Sequence, residues 1–140
     1  MKKRVVILMV MSLMLCMTAA CGNKELSFTA EDFVSGKGED STYDDKSYCE
    51  VLYYGDMAYA TTESDGCDVA VELMVGYIYH NPETDSYTYM TSKVKAESKD
   101  FAKAVFEQEN CCVLYAEAKH TITIGEETKN FETRAGELPK

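Results

Sequence analysis

Apolar and polar residues alternate with a period of two over much of this chain. The clearest stretch is 67–80, where Cys67, Val69, Val71, Leu73, Val75, Tyr77 and Tyr79 occupy the odd positions and the even ones begin Asp68, Ala70 and Glu72. Side chains of a β-strand alternate between its faces, so the pattern predicts a central strand with one face in a core. Met74, Gly76 and Ile78 make the second face less polar, which predicts cover on both sides there. Residues 111–124 repeat the pattern. Cys112, Leu114, Ala116, Ala118, His120, Ile122 and Ile124 lie on one face, and Glu117, Lys119, Thr121 and Thr123 on the other. Residues 48–54 and 57–62 also read as strands. Gly55-Asp56 between them suggests a two-residue hairpin loop, with one long strand bulged at Gly55 as the alternative.

After a turn at 81–85, rich in Asn, Pro and Asp, residues 86–97 return antiparallel to the central strand. Two registers compete. One sets Tyr79 opposite Tyr87 and Tyr77 opposite Tyr89; the other sets Val71 opposite Val94 and Val75 opposite Met90. A one-residue slip turns every side chain to the other face, and the pattern leaves both open. Residues 98–110, SKDFAKAVFEQEN, change character. Helix formers dominate, Ser98 can cap, Asp100 suits a first turn, and Phe101 and Val105 stand four apart, which predicts a short helix against the sheet. Residues 27–34 read as a short edge strand lined by Phe28 and Ala30, or else as a single helical turn capped by Thr29, with Asp32 three residues on. Residues 35–46 read as an exposed loop and 63–66 as a turn. Residues 125–130 read as a further turn, 131–134 as a short closing strand and 135–140 as a tail. The expected fold is mainly β (α+β): an antiparallel meander, half-barrel or small sandwich over 27–134, with one short helix at about 98–110.

The N-terminus has a different pattern. Lys2, Lys3 and Arg4 precede an apolar run at 5–17 interrupted only by Ser12, and small residues follow it. A membrane-spanning helix needs about twenty apolar residues, so the shorter run reads as a secretory signal peptide. The sequence MTAAC at 17–21 resembles the lipobox of bacterial lipoproteins, with Ala19 and Ala20 before Cys21 and Thr18 where an aliphatic residue is usual. The resemblance implies that 1–20 are a signal peptide, that Cys21 is lipidated as the mature N-terminus, and that 21–26 form a tether. The domain would then be held at the outer face of the cell membrane, since two acyl chains suffice for stable anchoring. The resemblance covers residues 1–21 and implies an address, not an activity.

Residues 1–20 hold three of the fourteen basic residues and none of the twenty-four acids, so the remainder carries a net charge of −13. That argues against nucleic acid as a partner. All ten tyrosines fall between 43 and 115. Tyr54, Tyr59 and the five candidates Tyr53, Tyr77, Tyr79, Tyr87 and Tyr89 would suit protein or carbohydrate contacts if they shared an exposed sheet face; ordinary sheet packing is the alternative. Cys49, Cys67, Cys111 and Cys112 are candidate disulfide partners or buried thiols. A Cys49–Cys67 bond would close a loop of about nineteen residues and contribute about 3 kcal/mol by chain entropy. A bond between the adjacent Cys111 and Cys112 would be strained. The four lack CxxC spacing, and neither His80 nor His120 stands at ligand spacing from a cysteine. Glu39, Asp40, Asp44 and Asp45 lack the order of a calcium loop, and Gly36-Lys37-Gly38 lacks that of a phosphate loop. Two isolated histidines make no catalytic triad. The chain therefore reads as a membrane-anchored extracytoplasmic lipoprotein whose domain is a non-catalytic binding module without a cofactor. A thiol-based metal or redox protein, or a small enzyme, is the alternative.

Overall fold

The computed structural model describes residues 27–139. They form six strands and, among the described residues, no helix: β1 (Lys37–Tyr43), β2 (Ser47–Tyr54), β3 (Met57–Asn81), β4 (Ser86–Glu107), β5 (Cys111–Ile124) and β6 (Glu127–Gly136). Every pairing is antiparallel. The organising element is β3, at 25 residues. One edge of β3 pairs with β4 through nearly its whole length. On the other edge β2 takes residues 57–64 and β5 takes 68–79. β1 flanks β2 and β6 flanks β5. The ribbon of β3 and β4 thus bends between two half-sheets. The first is β1, β2, the first half of β3 and the second half of β4. The second is β6, β5, the second half of β3 and the first half of β4.

The bend lies where the pairing jumps from Glu63↔Phe101 to Asp68↔Lys99, so residues 64–67 stand opposite Asp100 alone. Such an excess on one strand sharpens its twist and bend. Asp100 and Gly66 both take positive φ, 68° and 73°, and the Gly66 N–H donates to Asp100 Oδ1 at 2.6 Å. Residues 63–66, expected as a turn between strands, are therefore the corner of one continuous strand. The rims of the two half-sheets meet at β1 and β6. There the Arg134 N–H donates to Asp40 Oδ2 at 2.8 Å and Lys129 reaches Asp44 at 3.4 Å. The result is a nearly closed, barrel-like sheet.

The helix expected at 98–110 is replaced by the second half of β4. Ala102, Ala104 and Phe106 are buried, while Phe101, Lys103, Val105 and Glu107 face solvent. A spacing of four puts Phe101 and Val105 on one face in a strand as well as in a helix, so that pair did not discriminate. Backbone pairing with 57–63 overrides local helix propensity. The register of the β3–β4 hairpin is neither of those weighed. Tyr77 faces Met90 and Leu73 faces Val94. This slides β4 one step the other way, so that Met90, Val94 and Ala96 pack on the core and Tyr87 and Tyr89 turn outward. Residues 37–43, expected in a loop, are an edge strand paired fully to β2. Residues 27–34 hold one bridge, Phe28↔Tyr87, followed by a turn closed by the Thr29 N–H on Asp32 Oδ2 at 2.8 Å. The Gly55-Asp56 hairpin loop is as expected, with Gly55 at φ 62° where a two-residue loop with glycine first requires it. A similar loop at Gly125-Glu126 starts β6 earlier than expected, at Glu127.

The core is the space between the inner faces. Ala58, Ala60, Ala102, Ala104, Ala116 and Ala118 let the backbones approach, and Val51, Leu73 and Val75 are fully buried between them. Burial of each such branched side chain contributes about 1.5–3 kcal/mol. A register shift between Gly76 and Tyr77 leaves Leu114 as an extra residue in β5. It interrupts the alternation there: Val113 joins Tyr77 in the core, while Cys112 pairs with the outward-facing Ile78. Ile78 and Cys112 are nonetheless buried. Phe28 and Phe33 make a small outer layer over this end, with Phe28 6.0 Å from Tyr89 and Phe33 5.6 Å from Tyr87 between ring centroids.

Candidate functional site

The outward face of the first half-sheet is assembled by register. Adjacent strands set four rows across it: Tyr43–Tyr48–Glu63–Phe101, Ser41–Glu50–Thr61–Lys103, Glu39–Leu52–Tyr59–Val105 and Lys37–Tyr54–Met57–Glu107. With strands about 4.8 Å apart and about 6.7 Å between like-facing residues, the rows cover roughly 19 Å by 27 Å. Eight large apolar side chains stand exposed among the described residues. Five of them, Tyr43, Tyr48, Tyr54, Phe101 and Val105, lie on this one face and are 39–79% exposed.

Its electrostatics are distinctive. Lys103 Nζ sits 4.4 Å from the centroid of the Tyr59 ring, a cation held over an aromatic face. Partial burial raises the Tyr59 hydroxyl pKa, and the charges of Glu50 and Glu39 add to the shift. Glu39, Glu50, Glu63 and Glu107 make no ion pair with any described residue. The outward face of the second half-sheet is built differently. Glu72 holds Lys95 at 2.9 Å and Lys93 at 3.5 Å, and Glu117 holds Arg134 at 3.2 Å and accepts the Tyr115 hydroxyl at 2.6 Å. The Lys95 hydrogen bond lowers the Glu72 pKa and the Tyr115 hydrogen bond that of Glu117. Burial, with the Glu117 hydrogen bond, pushes Tyr115 up to about 12. A groove of about 420 Å³ crosses this face between Glu72, Lys95, Lys119 and Glu132, and of these Glu72 and Lys95 are paired.

The five candidate tyrosines are dispersed. Tyr53 and Tyr77 are buried in the core, where the Tyr77 ring lies 4.8 Å from Phe106 and its hydroxyl donates to Gln108 Oε1 at 3.2 Å. Tyr79 is half-buried against the same core. Tyr87 and Tyr89 point outward from the other half-sheet, beneath Phe33 and Phe28. Tyr54 and Tyr59 do lie on the aromatic face. They share it with Tyr43 and Tyr48, which the sequence reading passed over. The alternation through 101–107, with Ala102, Ala104 and Phe106 at the even positions, was read there as helix, whereas 37–43 has one large apolar residue, Tyr43, and carries no alternation that marks a strand.

All four described cysteines are buried free thiols. Cys49 and Cys67 lie towards the corner, where Ser64 Oγ donates to Cys67 Sγ at 3.2 Å. Cys111 and Cys112 begin β5 at the other end, and Cys111 Sγ donates to the Gln108 carbonyl at 3.2 Å. Burial pushes the Cys49 thiol up to about 11 and Cys111 up to about 12, and raises Cys112, so little reactive thiolate forms at neutral pH. No three metal-capable side chains cluster among the described residues. His120 is fully buried, with Nδ1 2.8 Å from Thr62 Oγ1 and Nε2 2.7 Å from Thr133 Oγ1. Desolvation pushes its pKa down to about 4, so it is a neutral structural link sealed from solvent. His80 bonds Asp85 at 2.8 Å and stacks on Tyr87 at 4.5 Å. In the acidic segment Asp44 accepts the N–H groups of Lys46 and Ser47, and Asp40 that of Arg134. Cys21 lies outside the described residues.

Comparison with protein-family models, with curated proteins and with solved structures finds no match to this chain. What the domain can do is therefore argued from its own surface.

Proposed function

We propose that this chain is an extracytoplasmic lipoprotein, anchored through Cys21, whose domain is a non-catalytic module that binds a protein or carbohydrate partner on the outward face of the first half-sheet. The observation that carries this reading is the concentration of exposed aromatic and aliphatic side chains on that face. Singly scattered apolar residues are ordinary on a protein surface, whereas here they gather on one face in two groups on either side of the polar row Ser41–Glu50–Thr61–Lys103, and such a concentration marks an interaction site. Tyrosine suits the role because it offers a rigid apolar ring with a polar tip. An area of roughly 500 Å² is below the 800 Å² per partner of a standard stable interface and fits a weaker, reversible one.

The placement of the N-terminal segment supports the same orientation. Phe28 packs against Tyr89 on the second half-sheet, on the opposite side of the core from the aromatic face. Cys21 precedes Phe28 by seven residues, a reach of at most about 25 Å. An anchor on that side leaves the aromatic face turned to the medium. Fatty-acid labelling tests the anchor. Label is expected on the wild-type chain and lost in Cys21→Ser, and label retained by the variant overturns it. The face is tested by screening glycans and extracellular protein fragments against wild type and Tyr48→Ala/Tyr54→Ala/Val105→Ala. Binding is expected to fall in the variant with the thermal midpoint nearly unchanged, and undiminished binding removes the face from the reading.

A further inference from the structure

The aromatic face carries a charge pattern that selects among partners. Four glutamates, Glu39, Glu50, Glu63 and Glu107, stand on it against two lysines, Lys37 and Lys103. None of the four makes an ion pair among the described residues, whereas on the second half-sheet Glu72 and Glu117 are paired with cations and Glu97 and Glu132 are not. Exposed carboxylates are hydrated and stable without partners, so the absence of pairing is no defect of the fold. It leaves them available to a ligand.

The chain also shows what kind of group the rings accept. Lys103 Nζ lies over Tyr59, in the row next to Leu52 and beside Glu50. Tyr48 and Tyr54 present rings of the same kind on the same face; Tyr48 stands next to Glu63 in the register, and Tyr54 stands opposite Lys37 with Glu39 one row away. Ring and carboxylate together form a favourable seat for a lysine ammonium or an arginine guanidinium, the latter able to stack and to hydrogen-bond at once.

We infer that the partner of this face is a protein surface rich in lysine and arginine, whose cations seat over Tyr48 and Tyr54 and against Glu39, Glu50 and Glu63. The inference rests on the proposed binding role of the face. A depression of about 420 Å³ lies at its Lys37, Glu39, Leu52 and Tyr54 corner, but the exposed rings extend well beyond it to Tyr48 and Phe101, which suits a macromolecular surface better than a small cation. A second copy of this chain is disfavoured, because two such faces brought together would oppose the same unpaired glutamates. The strongly acidic domain would also steer a basic partner towards itself before contact.

The test uses the isotope-labelled full chain in zwitterionic detergent micelles. It is titrated with a peptide rich in lysine and arginine, an acidic peptide of the same length, and a neutral oligosaccharide. With the basic peptide, amide shifts are expected at Tyr48, Glu50, Tyr59 and Val105. Affinity is expected to fall about tenfold in Glu50→Gln/Glu63→Gln, and to fall as salt rises. Glu132→Gln, on the other half-sheet, is expected to leave it unchanged. Shifts spread over both half-sheets, or affinity indifferent to the double substitution, overturn the inference. Preference of the same residues for the oligosaccharide or the acidic peptide overturns the cationic partner while the binding face stands. Concentration-dependent shifts at the face without any probe make a second copy the occupant. Silence with all three probes overturns the inference and counts against the binding role itself.

Discussion

His120 joins three strands through one ring. It sits on β5, bonds Thr62 on the first half of β3, and bonds Thr133 on β6. As a neutral imidazole it accepts from one threonine hydroxyl and donates to the other, so both buried nitrogens are satisfied. Its native pKa of about 4 lies below the ordinary 6.5, and that gap sets a pH dependence. Above pH 6.5 the ring is neutral in both folded and unfolded chains and the stability is fully present. As pH falls below 6.5 the unfolded chain takes up a proton that the folded chain cannot. Stability therefore declines until the folded ring also protonates near pH 4, by about 3 kcal/mol in all. Urea unfolding at pH 7.5, 5.5 and 4.5 is expected to show this decline, and a flat profile over that window would sink the account. The alternation through 111–124 was enough to turn His120 to the core. Its partners were not legible, because they stand 58 and 13 residues away in the chain.

At the scale of elements, β4 shows where local pattern and tertiary pairing part. Its second half carries helix formers, yet 57–63 offers it a complete ladder of backbone hydrogen bonds and a core for Ala102, Ala104 and Phe106. Its other edge has no strand partner among the described residues apart from the bridge at Phe28. A long free edge invites aggregation. Here Lys93, Lys95, Lys99 and Lys103 along the strand, and the bend at Asp100, oppose that. Asp100 is the pivot of the bend, holding a positive φ and the Gly66 N–H at once. Asp100→Ala loses both properties and is expected to cost about 1–3 kcal/mol in chemical denaturation, whereas Asp100→Gly keeps the backbone freedom and is expected to cost less. Equal costs for the two would show that the backbone conformation at the corner is not what the residue supplies.

At the scale of the whole molecule, β1 and β6 are closed by side chains and not by a strand ladder. Asp40 supplies the acceptor for the Arg134 N–H, and Asp44 pairs with Lys129. Asp40→Ala is expected to cost about 0.5–1.5 kcal/mol and to speed amide exchange in β1 and β6 while β3 stays protected. Unchanged exchange at Arg134 would show that the closure does not depend on that bond. The aromatic surface is built separately, by the register that sets β1, β2, β3 and β4 side by side. By itself the sequence determined that the chain is mainly β, which residues of 67–79 face the core, and where the tight hairpin loop at Gly55 falls. Those features follow from two-residue alternation and from the conformations glycine tolerates, which are local. Only the tertiary structure decided that 98–107 is strand, which of the possible registers β4 adopts, and which tyrosines share a face. Each of these depends on pairing between distant segments, and pairing energy outweighs the small preferences that any short window can express.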